Sequence, residues 1–195
     1  MEFLNYFSYN SKLVLTFFFI SLGAIILKYI TNGASNRILF SSYRSSPFNP
    51  LTYVRLFTHI FGHEDWRHFS GNFLYILLIG PILEEKYGFK DLLIMITITA
   101  GITGIINTIF SKHTTLGASG IVFMMIVLSS FVNVADNKIP LTLILICLFY
   151  VVNEIIDAVS KEDNVSHIGH IIGALCGAVF GFIYYSQIGI LNILQ

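Results

Sequence analysis

Residues 63–83 read HEDWRHFSGNFLYILLIGPIL, opening on charged and aromatic groups and turning almost wholly apolar from Phe69 to Leu83. The run is expected to end at a charged turn formed by Glu84, Glu85 and Lys86. Such a stretch is either a buried core helix or one crossing of a bilayer, because hydrocarbon about 30 Å thick takes roughly 20 helical residues. The composition of the whole chain decides between them. Of 195 residues, 55% are hydrophobic and 11% charged, against about a quarter charged in soluble domains. One soluble core of this size could not hide so much apolar surface, because its outer face must carry many more charges. The sequence therefore predicts an all-α, polytopic membrane protein. It excludes an ordinary soluble enzyme, a disordered chain and a disulfide scaffold. With Lys+Arg and Asp+Glu at 11 each, there is no basic field for nucleic acid.

Working outward from this run, six apolar spans are expected within a single membrane domain covering residues 1–195. They lie at about 13–30, 69–83, 92–110, 118–134, 140–156 and 168–190. Pro140 suits the start of the fifth, and Ser111, Lys112 and His113 stop the third. The first looks like a retained anchor with no cleavable signal. The link between spans one and two, residues 31–67, is much the longest and holds Arg37, Arg44, Arg55 and Arg67, two prolines and many aromatics. It is expected to fold at the membrane surface. Cys147 and Cys176 fall inside apolar runs and read as small buried hydrophobes. Placing the N-terminus in the cytoplasm leaves Lys12, Lys86, Lys90 and Lys138 inside and Lys28, the four arginines, Lys112 and Lys161 outside. That is the reverse of the positive-inside rule, so hydropathy leaves the orientation open. The expected location is integral and multi-pass, in the cell membrane.

Polar groups at membrane depth are expensive and usually functional, and three constellations stand out. His68 and Asn72 are four apart on span two, so they share a helical face; the bland reading is a pair of interhelical hydrogen bonds. Gly117-Ala118-Ser119-Gly120 precedes the apolar run of span four. A serine there exposes its Oγ beside backbone N–H groups that lack intrahelical partners and carry the positive end of the helix dipole; the bland reading is an N-cap. His167-Ile-Gly-His170-Ile-Ile-Gly173 continues to Gly177 and Gly181, and glycines at steps of four let another helix approach closely. The bland reading is a structural seam with an incidental histidine.

Together these groups supply a nucleophile, a base and neutral hydrogen-bond donors. A serine hydroxyl attacks only when a base takes its proton, and a neutral imidazole does this near pH 7. Peptide hydrolysis also creates an oxyanion that needs preorganised donors. Apart from Asp163, no acid lies near His170 at its depth, so a Ser–His dyad without a third acid is expected.

The combination resembles the rhomboid intramembrane serine proteases of the six-helix kind, from Arg55 to Gly181. H-x4-H-x3-N matches His63, His68 and Asn72; G-x-S-G matches Gly117 to Gly120; H-x2-G-x3-G matches His170, Gly173 and Gly177. The resemblance implies Ser119 as nucleophile and His170 as general base. It also implies an oxyanion hole of His68, Asn72 and the Ser119 backbone N–H, with His63, Gly117, Phe123, Gly173 and Gly177 in support. By the same resemblance the long first link is a membrane-embedded loop and residues 157–166 a cap over the site. Two departures stand out: Val54-Arg55 where the family often has a Trp-Arg pair, and Phe123 where relatives often have a tyrosine against the catalytic histidine.

Between the two histidines of span six, His170 is expected deeper and against span four, His167 nearer the surface and solvated. The reaction would take transmembrane segments of other membrane proteins, presented through the lipid bilayer and unwound locally to expose a carbonyl. Water would enter along a cavity lined by His63 and His68. No cofactor is expected. A small transporter or metal-binding membrane protein built on the four clustered histidines is the competing reading; no Cys or carboxylate stands at ligand spacing and no H-E-x-x-H is present, so no metal is expected. A rhomboid-like protein that binds transmembrane segments without cutting them is a third.

Overall fold

The structure, a computed structural model, describes residues 9–110, 114–132, 141–146, 148, 152 and 167–193, with side chains of the last helix described to residue 185. The elements are α1 (Lys12–Ile30), α2 (Ala34–Ile38), α3 (Pro50–Thr58), a 3-10 turn (His59–Phe61), α4 (Trp66–Phe110), α5 (Ser119–Ser129), α6 (Leu141–Ile146) and α7 (His167–Ile193). Among the described residues the one extended pairing is an isolated antiparallel bridge between Ser42 and Thr115. The protein is an all-α membrane protein. Lys12–Ile30, Trp66–Phe110 and His167–Tyr185 are each long and apolar enough to cross a bilayer.

At 45 residues, α4 would be about 68 Å long if straight, more than twice the hydrocarbon thickness. It folds back at Gly88, where φ 80° and ψ 161° are open to glycine alone. Trp66 stacks on Tyr29 at the end of α1, while Glu84 bonds to Ser11 at its beginning. The 66–87 arm is therefore antiparallel to α1. Asn72 on this arm and Thr103 on the other both lie against the Gly117–Gly120 turn, so the two arms are antiparallel as well.

The expected spans 69–83 and 92–110 fall on these arms, but the charged triplet at 84–86 is no turn. Helix continues through it because Glu84 has another task. Its carboxylate accepts from Ser11 Oγ and from the backbone N–H groups of Leu13 and Val14, at 3.1 Å and 3.4 Å. These are orphan donors at the start of α1, which a bilayer could not satisfy. Pro81 is handled similarly. A proline inside a helix frees the carbonyl four residues earlier, and the Tyr9 hydroxyl donates to that oxygen, Leu77 O, at 2.9 Å.

In α5 the apolar groups are buried on every side, which marks it as the central helix. It is shorter than the expected 118–134. Its 11 residues cover about 16 Å, so the buried residues Gly117 and Ala118 carry the chain inward before helix begins. Against it lies α7, along a seam without side chains. A Cβ on Gly173 would fall 2.0 Å from Gly120 O, and one on Gly177 2.4 Å from Met124 O. Cys176, on the same helix, is buried as expected. Most of the fifth expected span, Cys147, His113, Asp163 and the expected cap at 157–166 lie outside the described residues.

The link after α1 is folded, as its composition suggested. Asn49 Oδ1 accepts from Leu51 N at 3.0 Å and Pro50 starts α3, an N-cap followed by proline in its favoured position. Arg55 is 2% exposed. Its guanidinium donates to Ser45 Oγ at 2.7 Å and Ile38 O at 3.4 Å, and lies 4.3 Å from the centre of the Tyr43 ring. The arginine thus organises the link without a preceding tryptophan. Ser42 exchanges backbone bonds with Thr115, and His59 O accepts from Gly117 N at 3.0 Å. The link therefore grips the segment that leads into α5.

Two outcomes follow. Gly173→Ala places a methyl group against the Gly120 backbone, so it lowers stability in detergent by about 1–3 kcal/mol. Gly23→Ala, with nothing within 4 Å of the new carbon, leaves thermal unfolding unchanged or slightly raised; equal melting of the two variants contradicts the seam. Burial pushes His59 down to about 4 and His63 down to about 3, the latter helped by neighbouring His68. The unfolded chain therefore takes up protons first as pH falls below about 6.5, and stability present at pH 7 is lost from about pH 6.5 down to about 4 for His59 and about 3 for His63. At pH 5 the loss is about 2 kcal/mol per histidine. Thermal unfolding from pH 7.5 to 5 checks this, with a shallower slope expected for His59→Gln.

Candidate active site

Three elements bring the expected polar residues together. Ser119 is the first residue of α5, His68 and Asn72 lie one turn apart near the start of α4, and His170 lies in the first turn of α7. All four line one cavity of about 920 Å³, together with Phe123. The seam fixes their relation. Gly120 follows Ser119 and Gly173 follows His170 by one turn, and these two glycines are the ones in backbone contact. Around the imidazole of His170 the packing is specific: Phe123 stacks on it with ring centres 4.6 Å apart and planes 7° from parallel.

Gly117 shapes the other wall. Its φ of +125° excludes a side chain on conformational grounds, and its missing Cβ would lie 2.7 Å from His68 Nε2 and 3.7 Å from Asn72 Nδ2. The His68 ring occupies the space that glycine leaves, which brings both donors against the turn before Ser119. Asn72 is 8% exposed and its Nδ2 has no acceptor among the described residues. A buried amide donor left unsatisfied costs about 1–3 kcal/mol, so an oxygen arriving beside Ser119 recovers that energy. The Ser119 N–H, at a helix start, faces no earlier turn that could accept from it. Asp65 Oδ1 accepts from His68 N at 2.7 Å, fixing the first turn from which His68 projects.

His63 and His167 depart from expectation. His63 does not line the cavity; it is fully buried behind His68, their ring centres 5.1 Å apart, with Phe69 and Phe73 against its other side. The chain turns inward before α4, and Asn36 Nδ2 holds this turn by donating to His63 O at 2.9 Å. His167 is not solvated. It is 8% exposed and meets His170 edge to face, ring centres 6.3 Å apart. Of the two, His170 borders the cavity.

A second, small cavity of about 20 Å³ adjoins the first behind Ser119, lined by His59, Thr103, Asn107, Gly117 and Gly169 among others. Thr103 Oγ1 lies 3.4 Å from His59 Nε2 and donates to Thr99 O at 2.8 Å. None of these polar residues stood out in the sequence. Thr103 and Asn107 are four apart on a helical face, the same signal that marked His68 and Asn72, but they sit in a run where hydroxyls usually satisfy their own helix.

The sequence matches the Rhomboid domain over residues 50–187. It is 30% identical to "Rhomboid protease GluP" of Bacillus subtilis over 178 residues, 87% of this chain and 35% of that protein. Similarity to "Rhomboid-like protein 11, chloroplastic" of Arabidopsis thaliana is 25% identity over 63% of this chain and 49% of the relative. For "Rhomboid protease GlpG" of Salmonella newport it is 29% over 52% of this chain and 38% of the relative. The chain thus spans between a third and a half of the length of these relatives. A domain match over most of the chain, on a helical membrane protein with these three motifs around one cavity, establishes that the chain belongs to the rhomboid family.

Proposed function

We propose that this chain is an intramembrane serine endopeptidase that cleaves transmembrane segments of other membrane proteins. The observation that carries the reading is the shared cavity, where a serine at a helix start, an imidazole packed on an aromatic ring and a buried unpartnered amide converge. Two of the relatives bear the name rhomboid protease, which supports the same chemistry.

In this reading Ser119 Oγ attacks the carbonyl carbon of the scissile peptide and its proton passes to His170. The carbonyl oxygen gains the negative charge and receives hydrogen bonds from Asn72 Nδ2, the His68 ring and the Ser119 N–H. Collapse of this intermediate breaks the C–N bond. His170 gives its proton to the leaving amine, and an ester on Ser119 remains. Water then attacks the ester, His170 takes a proton from it and passes that proton to Ser119 Oγ, which leaves as the hydroxyl while the acid product departs. The small cavity beside Ser119 is large enough for one water, which needs about 10–15 Å³ of this kind of space. Thr103, Asn107 and His59 give it polar partners. The stacking of Phe123 orients the imidazole, and the reading keeps the Ser–His dyad expected from the sequence. Substrates are expected to carry small or helix-breaking residues where they are cut, since a helix keeps its carbonyls in its own hydrogen bonds.

Purified protein incubated with single-span model substrates tests this. Ser119→Ala and His170→Ala abolish cleavage, whereas His167→Ala retains most of it. Asn72→Ala lowers kcat by about 10²–10³ with KM little changed, as expected for a donor used in the transition state. Cleavage that survives Ser119→Ala, or that requires His167 and not His170, overturns the assignment.

A further inference from the structure

Lys28 lies in the last turn of α1. Its Nζ donates to Glu64 O at 2.8 Å and stands 4.2 Å from the centre of the Tyr29 ring. Tyr29 stacks in turn on Trp66, ring centres 6.0 Å apart and planes 10° from parallel. Both rings are about half exposed, as aromatic residues are where hydrocarbon meets water. This places the ammonium at the height of the lipid headgroups. A lysine there usually reaches outward to water or phosphate. Lys28 instead forms part of the wall of the cavity that holds Ser119, His68 and Asn72.

The ammonium has three donors. One goes to a neutral main-chain oxygen, and among the described residues Lys28 makes no ion pair. Glu64 also borders the cavity, but its side chain is exposed while Lys28 is half-buried; water and salt screen the carboxylate more than the ammonium. Among the described residues lining the cavity Lys28 is the one lysine or arginine, while the charges of Glu64 and Asp65 act on the His68 side. Its anchor, Glu64 O, is one residue from Asp65, which holds the first turn carrying His68. A peptide lying across Ser119 with its carbonyl towards His68 and Asn72 shares this cavity with the cation.

We propose that Lys28 is a specificity-determining residue that selects substrates with an Asp or Glu in the extended stretch beside the scissile bond, at the membrane edge. The inference rests on the proteolytic reading above and names a substrate class within it. An acidic side chain pairs with a partly desolvated ammonium that has no carboxylate of its own. A Lys or Arg at the same place sets two cations face to face, which is rejection as well as loss of attraction.

The experiment is a competition assay with the full chain in phosphatidylcholine vesicles. Two single-span substrates are mixed that differ only in Asp against Lys at one position, and that position is stepped along the residues flanking the scissile bond. The readout is the ratio of the two kcat/KM values, in which any loss of active enzyme cancels. At one or two positions wild type favours Asp by about tenfold, Lys28→Arg keeps the order, and Lys28→Glu reverses it. The same ratio in wild type and Lys28→Glu overturns the proposal, as does a preference seen only when phosphatidylglycerol is added, which would make Lys28 a lipid contact. Wild type that cuts both substrates equally at every position sinks the specificity claim and leaves proteolysis standing. Wild type that cuts neither and does not react with a fluorophosphonate removes the proteolytic reading itself, and this proposal with it.

Discussion

The candidate site is arranged around a place where two helices touch without side chains. Gly173 on α7 meets the carbonyl of Gly120 on α5 so closely that even a methyl group has no room. In a bilayer, apolar side chains gain little by leaving lipid for protein, and association relies on close packing. The glycine seam supplies it. Because Ser119 and His170 stand one residue and one turn from the two glycines in contact, the same packing that holds the helices together also sets the separation of hydroxyl and imidazole. On the proposed reading, stability and chemistry rest on one contact.

A second constraint follows from the solvent. Hydrocarbon offers no partners for backbone groups, so each irregularity must be answered by another part of the chain. The start of α1 is answered by Glu84, the carbonyl freed by Pro81 by Tyr9, and the turn before α5 by Ser42 and His59. Among the described residues six buried side-chain atoms have no partner, and of these Asn72 Nδ2 is the one that lies against Gly117, in the turn before Ser119. On the proposed reading this open donor beside the serine is the one whose partner arrives with the substrate.

The helical membrane architecture was legible because apolar composition over whole spans leaves few alternatives. The grouping of His68 with Asn72 on one cavity wall was legible because spacing along a helix translates directly into a shared face. What escaped the sequence depends on contacts far apart in the chain. Glu84 looks like a charged turn until Ser11, 73 residues away, is seen to need its carboxylate. Gly88 was one glycine among many, and only its backbone angles mark it as the point of reversal. His63 and His167 were misjudged for a related reason: helical position gives a face and a depth but not what packs over it, and both are buried by neighbouring rings. Lys28 counted only as a charge in a topology sum; nothing local reveals that it borders the cavity.

The most direct measurement of the central claim is the site of reaction with a fluorophosphonate, read by mass spectrometry on the intact protein and its peptides. An acylating serine activated across the seam gives a single adduct on Ser119 in wild type and a rate reduced by orders of magnitude in His170→Ala. Labelling at another residue, or equal rates with and without the His170 imidazole, contradicts the account.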